Sequence, residues 1–285
     1  MRIGFIGAGK AGFSLGKYFS EKKIGVAGYY SKNPESAKEA SLFTNSKLFD
    51  KIDKLVKECD CIFLSVPDGA IEEVWRQIKT FPIEGKLICH LSGAATSEVF
   101  TGIRDRGGYG YSVHPFLAIS DKYTSYKDIG DALFTIEGAQ ERIGDIRSLL
   151  ESCGNFVQEI DASQKGRYHM AASIASNFMV TLYDVAQKEL LKCGFTEDNL
   201  PHALPALVGK NIESVMAKGP ACALTGPIER GDAVTVRKHL DLADPKLKQL
   251  YVALASRTLA LAKEKNPDRD YTELENILKT EAFLK

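Results

Sequence analysis

Two groups of residues in this 285-residue chain have the types and spacing to do chemistry. The first is Gly7-Ala8-Gly9-Lys10-Ala11-Gly12, a G-x-G-x-x-G run directly after the short apolar stretch Ile3 to Ile6. In that setting each glycine has its own duty. Gly7 permits a tight turn, Gly9 lets a pyrophosphate approach the backbone, and Gly12 lets the next helix pack close. The helix start then presents free N–H groups and the positive end of its dipole to phosphates. The implied chemistry is dinucleotide binding. The second group is a polar stripe. His169, Ser173, Asn177 and Thr181 recur every four residues, and Met170 to Tyr183 carries no charge. That spacing stacks them on one helix face. Such a stripe either pairs across a helix interface or lines a wet cleft.

The end of the second expected strand says which dinucleotide. NAD sites usually place Asp or Glu there for the ribose 2′-hydroxyl. Here Tyr30 is followed by Ser31-Lys32-Asn33, with two hydrogen-bond donors, a cation and no acid. That set suits a 2′-phosphate, so NADP(H) is the expected cofactor. Val66 and Pro67, after an apolar strand, are expected along the adenosine or ribose. Ser92 and Gly93, after the next strand, are small enough for a nicotinamide to lie against the backbone. His90 inside that strand suits the core as well as a site. His114 ends a further strand just before Pro115 and is a second candidate acid beside His169. In Ala223 to Asp232, Thr225 and Arg230 have no obvious structural duty, and Arg230 could grip a carboxylate bidentately.

These residues need a scaffold. Strand, glycine turn, helix Lys10 to Lys22 and strand Ile24 to Tyr30 make one βαβ unit. The pattern continues with a helix at Pro34 to Ser41, a short strand at Leu42 to Thr44 and a helix at Leu48 to Lys57. Strands follow at Cys61 to Val66, Lys86 to Leu91, Tyr109 to Pro115, Leu133 to Glu137 and Phe156 to Ile160, with helices at Ile71 to Lys79 and Gln140 to Ser152. The expected fold is α/β: a Rossmann-type, doubly wound, mostly parallel sheet over 1–160, followed by an all-α domain over 161–285. The helical patterns there run about 163–193, 200–218, 232–240, 245–265 and 271–282, and the charge-free 170–183 stretch is expected to be largely buried.

Composition narrows the partners. Basic and acidic residues number 37 each, for a formal net charge of +0. That leaves no electrostatic case for nucleic acid or an anionic membrane. The six cysteines are scattered, with Cys59 and Cys61 the one close pair, so reduced thiols and no metal site are expected. The N-terminus enters a strand without the features of a signal peptide, which points to the cytoplasm. The apolar helices suggest a homodimer built through the helical domain.

Over its whole length the chain resembles a known superfamily. The N-terminal half is similar to the NADP-binding domains of ketopantoate reductases, pyrroline-5-carboxylate reductases and 6-phosphogluconate dehydrogenases. Gly7-Ala-Gly9-x-x-Gly12, Tyr30-Ser-Lys-Asn33, Ser65-Val-Pro67-Asp68 and His90-Leu-Ser-Gly93 carry that similarity. The C-terminal half resembles a bacterial branch in which a Rossmann-like domain precedes a helical, 6-phosphogluconate dehydrogenase C-terminal-like domain of unknown function. Tyr168-His169-Met-Ala-Ala, Ser176-Asn177-Phe and Leu224-Thr-Gly-Pro-x-x-Arg-Gly-Asp232 carry it. Some members of that branch are ketopantoate reductases of pantothenate biosynthesis. The resemblance therefore implies an NADPH-dependent, dimeric oxidoreductase acting on a small 2-oxo acid. Imine reduction of the pyrroline-5-carboxylate reductase type and non-catalytic NADP(H) sensing are the alternatives. Many hydroxyacid dehydrogenases of the superfamily place a catalytic lysine four residues before a substrate-binding asparagine. Aligned on Asn177, that position is Ser173, which makes His169 the expected general acid, with Asn177 and Ser173 holding substrate oxygens.

Overall fold

The computed structural model describes residues 1–283. It forms two compact units, Met1–Leu182 and Tyr183–Lys285. In chain order the first contains β1 (Ile3–Ile6), α1 (Lys10–Glu21), β2 (Val26–Tyr30), α2 (Pro34–Phe43), β3 (Lys47–Leu48), α3 (Ile52–Glu58), β4 (Cys61–Leu64) and α4 (Asp68–Ile78). It continues through β5 (Leu87–His90), β6 (Tyr109–Pro115), β7 (Phe134–Gly138), α5 (Ile143–Ser152), β8 (Val157–Glu159), α6 (Lys165–Ala175) and the start of α7 (Asn177–Lys192).

The eight strands form one sheet in the order β3-β2-β1-β4-β5-β6-β7-β8. All pairings are parallel except β6 with β7. The order reverses between β1 and β4, and in open α/β sheets ligands bind outside the strand ends at that point. The central strands β1, β4 and β5 are buried at every residue, as their apolar runs require when helices cover both faces. On one face Phe5 stacks on Tyr29 and Phe63 at centroid distances of 5.1 and 5.5 Å, with Phe13 and Phe19 in the same cluster. On the other, Trp75 of α4 packs among Ile62, Leu64, Ile78 and Ile88.

Three expectations fail. Leu42 and Phe43 end α2 rather than forming a strand, and the short strand is Lys47–Leu48; Leu48 therefore belongs to β3, and the next helix starts at Ile52. A polar Thr-Asn turn, with Asn45 at φ 49°, separates helix from strand. Residues 163–193 are not one helix: α6 stops at Ala175, and Ser176, at φ −111° and ψ −73°, breaks it before α7. The stretch 170–183 is not buried within the chain. Met170, Phe178 and Val180 are 55%, 56% and 71% exposed. Lack of charge shows that a surface avoids water, not what covers it. The first compact unit, Met1–Leu182, takes in α6.

The second unit holds α8 (Leu200–Lys218), the short α9 (Pro220–Ala223) and α10 (Pro227–Arg230), α11 (Ala233–Leu242), α12 (Pro245–Lys265) and α13 (Thr272–Phe283). Val236, Leu240, Val252, Leu259, Leu274 and Leu278 lie in its core. No helix of the described residues is long and apolar enough to cross a membrane.

Candidate active site

The glycine turn is built as its spacing requires. Gly7 sits at φ 103°, and a Cβ there would stand 2.5 Å from the Ser65 carbonyl oxygen at the end of β4. A Cβ at Gly12 would stand 2.1 Å from Ser65 Oγ, so α1 can approach β4 only through glycine. At Gly9 the nearest atom would be 3.9 Å away, which leaves that backbone open. Ser65 Oγ donates to the Gly7 carbonyl at 2.9 Å and holds the turn. Gly9 caps α1 with no side-chain hydrogen bond, so its first N–H groups remain available. A cavity of about 290 Å³ opens here, lined by Gly7, Ala8, Gly9, Ser31, Lys32, Asn33, Val66 and Pro67 among others. Lys10 and Ala11 lie beyond it on the first turn of α1, and Gly12 lies behind it.

The side of that cavity formed by Ser31, Lys32 and Asn33 carries the expected donors. Asn33 Oδ1 accepts from Glu35 N at 3.1 Å and caps α2, which leaves its amide hydrogens to face outward chemistry. Ser31 Oγ accepts from Asn33 N at 3.2 Å and keeps its own proton to donate. The Lys32 ammonium is already engaged, 2.8 Å from Glu73 on α4. These groups, the open Gly9 backbone and the uncapped helix fit a dinucleotide phosphate chain with a 2′-phosphate.

Ser92 and Gly93 follow β5, two strands from the glycine turn on the same sheet edge. Ser92 Oγ accepts from Ala94 N and Ala95 N at 3.1 and 2.9 Å and donates to Asp68 Oδ2 at 2.6 Å. This fixes the loop that presents Gly93. A Cβ at Gly93 would meet His169 Nδ1 at 2.8 Å and His114 Nε2 at 2.9 Å. The two imidazoles therefore converge on one small space above a bare backbone. An open cleft beside it is lined by His114, Phe116, His169, Ser173, Ser176 and Asn177 among others. Three members of the polar stripe thus share one cleft. Thr181 instead donates to the Asn177 carbonyl one turn back in α7.

The electrostatics separate the histidines. Burial, aided by the Lys165 charge, pushes His114 down to about 4, so it is neutral at pH 7. Its Nδ1 lies 2.6 Å from the Tyr168 hydroxyl, and burial raises that phenol above its ordinary value. A protonated phenol donating to Nδ1 leaves Nε2–H directed at Gly93. His90, by contrast, is a core residue: its Nδ1 accepts from Ser92 N, its Nε2 pairs with the Thr96 carbonyl, and burial lowers it to about 4.

Three residues were missed from sequence: Lys165, Tyr168 and Asp68. Lys165 opens α6 and is 1% exposed. Its Nζ donates to the Ser92 carbonyl at 3.0 Å and to Ser112 Oγ at 2.7 Å, with no ion pair among the described residues. Burial lowers its pKa to about 8. Lys165, Tyr168 and His169, at i, i+3 and i+4, share the α6 face turned to the ends of β5 and β6. That spacing was the available signal. Counting back four residues from Asn177 leads to Ser173 and so did not draw attention to Lys165.

In the second unit, Thr225 and Arg230 are exposed. Their neighbours in the Leu224–Asp232 stretch have folding duties. Gly226 and Gly231 take φ values of 102° and 79°, Asp232 caps α11 through Thr235 N, and Glu229 accepts from Asn266 at 2.9 Å.

Comparison with known proteins bears on the fold. Residues 1–115 match the family model of a Rossmann-like domain, and residues 132–258 match that of a domain of unknown function, DUF2520. A Bacteroides fragilis protein provisionally named an NADP oxidoreductase is 25% identical, with a TM-score of 0.69 over 91% of this chain and 98% of that one. A Thermotoga maritima protein is also 25% identical, with a TM-score of 0.71 over 92% and 99%. An imine reductase from Myxococcus stipitatus in complex with NADP+ shares the fold at 16% identity, with a TM-score of 0.62 over the full length of both chains. No curated protein sequence matches the chain significantly.

Proposed function

We propose that this chain is an NADP(H)-dependent reductase of a small carbonyl compound. One observation carries the reading: His114 Nε2 and His169 Nδ1 converge within 3 Å of the space beside Gly93, at the same sheet edge as the open Gly7–Gly9 turn. Gly7 to Gly12 and Ser31 to Asn33 would hold the cofactor, whose chemistry is hydride donation. In this reading neutral His114 donates Nε2–H to the substrate oxygen and polarises it rather than protonating it. His169, at the open side of the cleft, supplies the proton. The Lys165 charge beneath Ser92 and Ser112 stabilises negative charge developing on that oxygen and adds to the burial that keeps His114 neutral. Asn177 and Ser173 orient the substrate.

The first substrate class to test is the 2-oxo acids, ketopantoate included, which would place the protein in pantothenate biosynthesis. Imine reduction is the second reading. It is favoured by the cleft wall of the first unit, which carries no Lys or Arg among the described residues. The same units are proposed as a cofactor domain and a helical domain, with a second copy covering the exposed apolar face of α6 and α7 in a homodimer. Loss of NADPH absorbance with a panel of 2-oxo acids and cyclic imines tests the function. Turnover of a 2-oxo acid supports it, turnover of imines alone shifts it to the second reading, and NADPH binding without any turnover rejects both in favour of a sensing role.

A further inference from the structure

The cofactor cavity has no acid at the tip of β2, yet an acid is paired with Lys32, one of the residues that line it. Ala70, Val74 and Gln77 of α4 line the cavity, and Glu73 lies within the same stretch, one turn before Gln77. Its Oε1 is 2.8 Å from the Lys32 ammonium. The two residues are 41 positions apart and both are more than half exposed, so the fold does not depend on their pair. A carboxylate recognises a ribose 2′-hydroxyl, and a cation recognises a 2′-phosphate. This site presents one of each, holding each other.

We infer that Glu73 sets the cofactor preference of this site by competing with the 2′-phosphate for Lys32 and by accepting the 2′-hydroxyl of NADH in its place. This rests on the NADP(H)-binding reading above. Binding NADPH transfers Lys32 from the carboxylate to the phosphate and leaves Glu73 close to two further negative charges. Binding NADH leaves the pair intact, with the second carboxylate oxygen open to the hydroxyl. Ser31 and Asn33 can donate to either group. The preference for NADPH is therefore real but restrained, and it is restrained from α4, not from the β2 tip where such acids normally sit.

The test is direct titration of the full chain with NADPH and with NADH, read by quenching of protein fluorescence, for wild type, Glu73→Gln and Lys32→Ala. Glu73→Gln is expected to tighten NADPH ~2–5-fold and weaken NADH ~2–5-fold, the range of exposed charge pairs. Lys32→Ala is expected to weaken NADPH ~10-fold or more while leaving NADH unchanged or tighter. Opposite movement of the two cofactors in Glu73→Gln is the signature. If both cofactors bind wild type and Glu73→Gln moves them equally or not at all, Glu73 is only a surface partner of Lys32 and the inference is overturned. If wild type binds neither, the cofactor reading itself is lost.

Discussion

Replacing Lys165 by Met probes the centre of the proposed site, and the structure supplies the size of the effect. Burial lowers this ammonium from its ordinary 10.5 to about 8. At about 1.4 kcal/mol per pH unit the charged form is disfavoured by roughly 3 kcal/mol, and residual solvent screening brings this to ~1–3 kcal/mol. Below pH 8 the lysine is charged in both folded and unfolded chains, and the whole cost opposes folding. Between about 8 and 10.5 the unfolded chain binds the proton more tightly, so wild-type stability rises with pH. Above 10.5 both forms are neutral and the cost is gone. Methionine fills a similar volume without the charge. The acceptors it leaves, the Ser92 carbonyl and Ser112 Oγ, already pair with each other at 3.2 Å, so the orphan penalty sits at the low end of ~1–3 kcal/mol. K165M should therefore match or exceed wild-type stability at pH 7.5. Its advantage should shrink by ~1–3 kcal/mol as pH rises toward 10.5. Urea unfolding of both proteins at pH 7.5, 9 and 10 measures this. Activity should move the other way: kcat should fall ~10²–10³-fold, the worth of an electrostatic group at the reacting oxygen, with NADPH affinity retained. A stability difference that does not change with pH would refute the buried charge. An active K165M would refute its role.

His169→Gln should lower kcat ~10²–10⁴-fold with NADPH affinity and Tm little changed. His114→Gln should cost less, because a neutral donor can be replaced in part by an amide N–H. The reverse ranking would make His114 the proton donor, and full activity in both would favour imine reduction. Gly93→Ala places a methyl group within 3 Å of both imidazole nitrogens and should cut kcat/KM ~10-fold or more, through misplacement of the reacting groups, without loss of cofactor binding. A wild-type kcat/KM in that variant would show that the reacting groups do not meet there. Light scattering at micromolar concentration should give twice the 31.3 kDa chain mass, and a monomer mass would leave the apolar face of α6 and α7 without its proposed cover.

Much of the scaffold was legible because it rests on local rules. The βαβ unit, the glycine turn and the buried strands β4 and β5 follow from periodicity and from where a Cβ cannot fit, and these act over a few residues. The β3 error came from the weakest signal of that kind, a two-residue edge strand beside a helix end, where a few residues cannot separate the two periods. The LTGPxxRGD stretch was legible as special, but its glycines and Asp232 proved to be folding residues, a distinction set by backbone angles and a cap.

What the sequence determined by itself was the open sheet, the glycine turn, the missing acid at the β2 tip and the clustering of His169, Ser173 and Asn177. Each depends on residues close along the chain, although Asn177 stands across the Ser176 break from His169 and Ser173. Tertiary structure alone decided that Lys165 is buried under Ser92 and Ser112, that Tyr168 orients His114, that Glu73 holds Lys32, and that Gly93 is the gap between two histidines. The partners in these contacts are 21 to 76 residues apart. A lysine at a helix start and a glutamate on a helix surface look alike in sequence whether solvated or engaged. Which of the two they are depends on the desolvation and charge of the element packed opposite, and only the folded sheet edge brings those elements together.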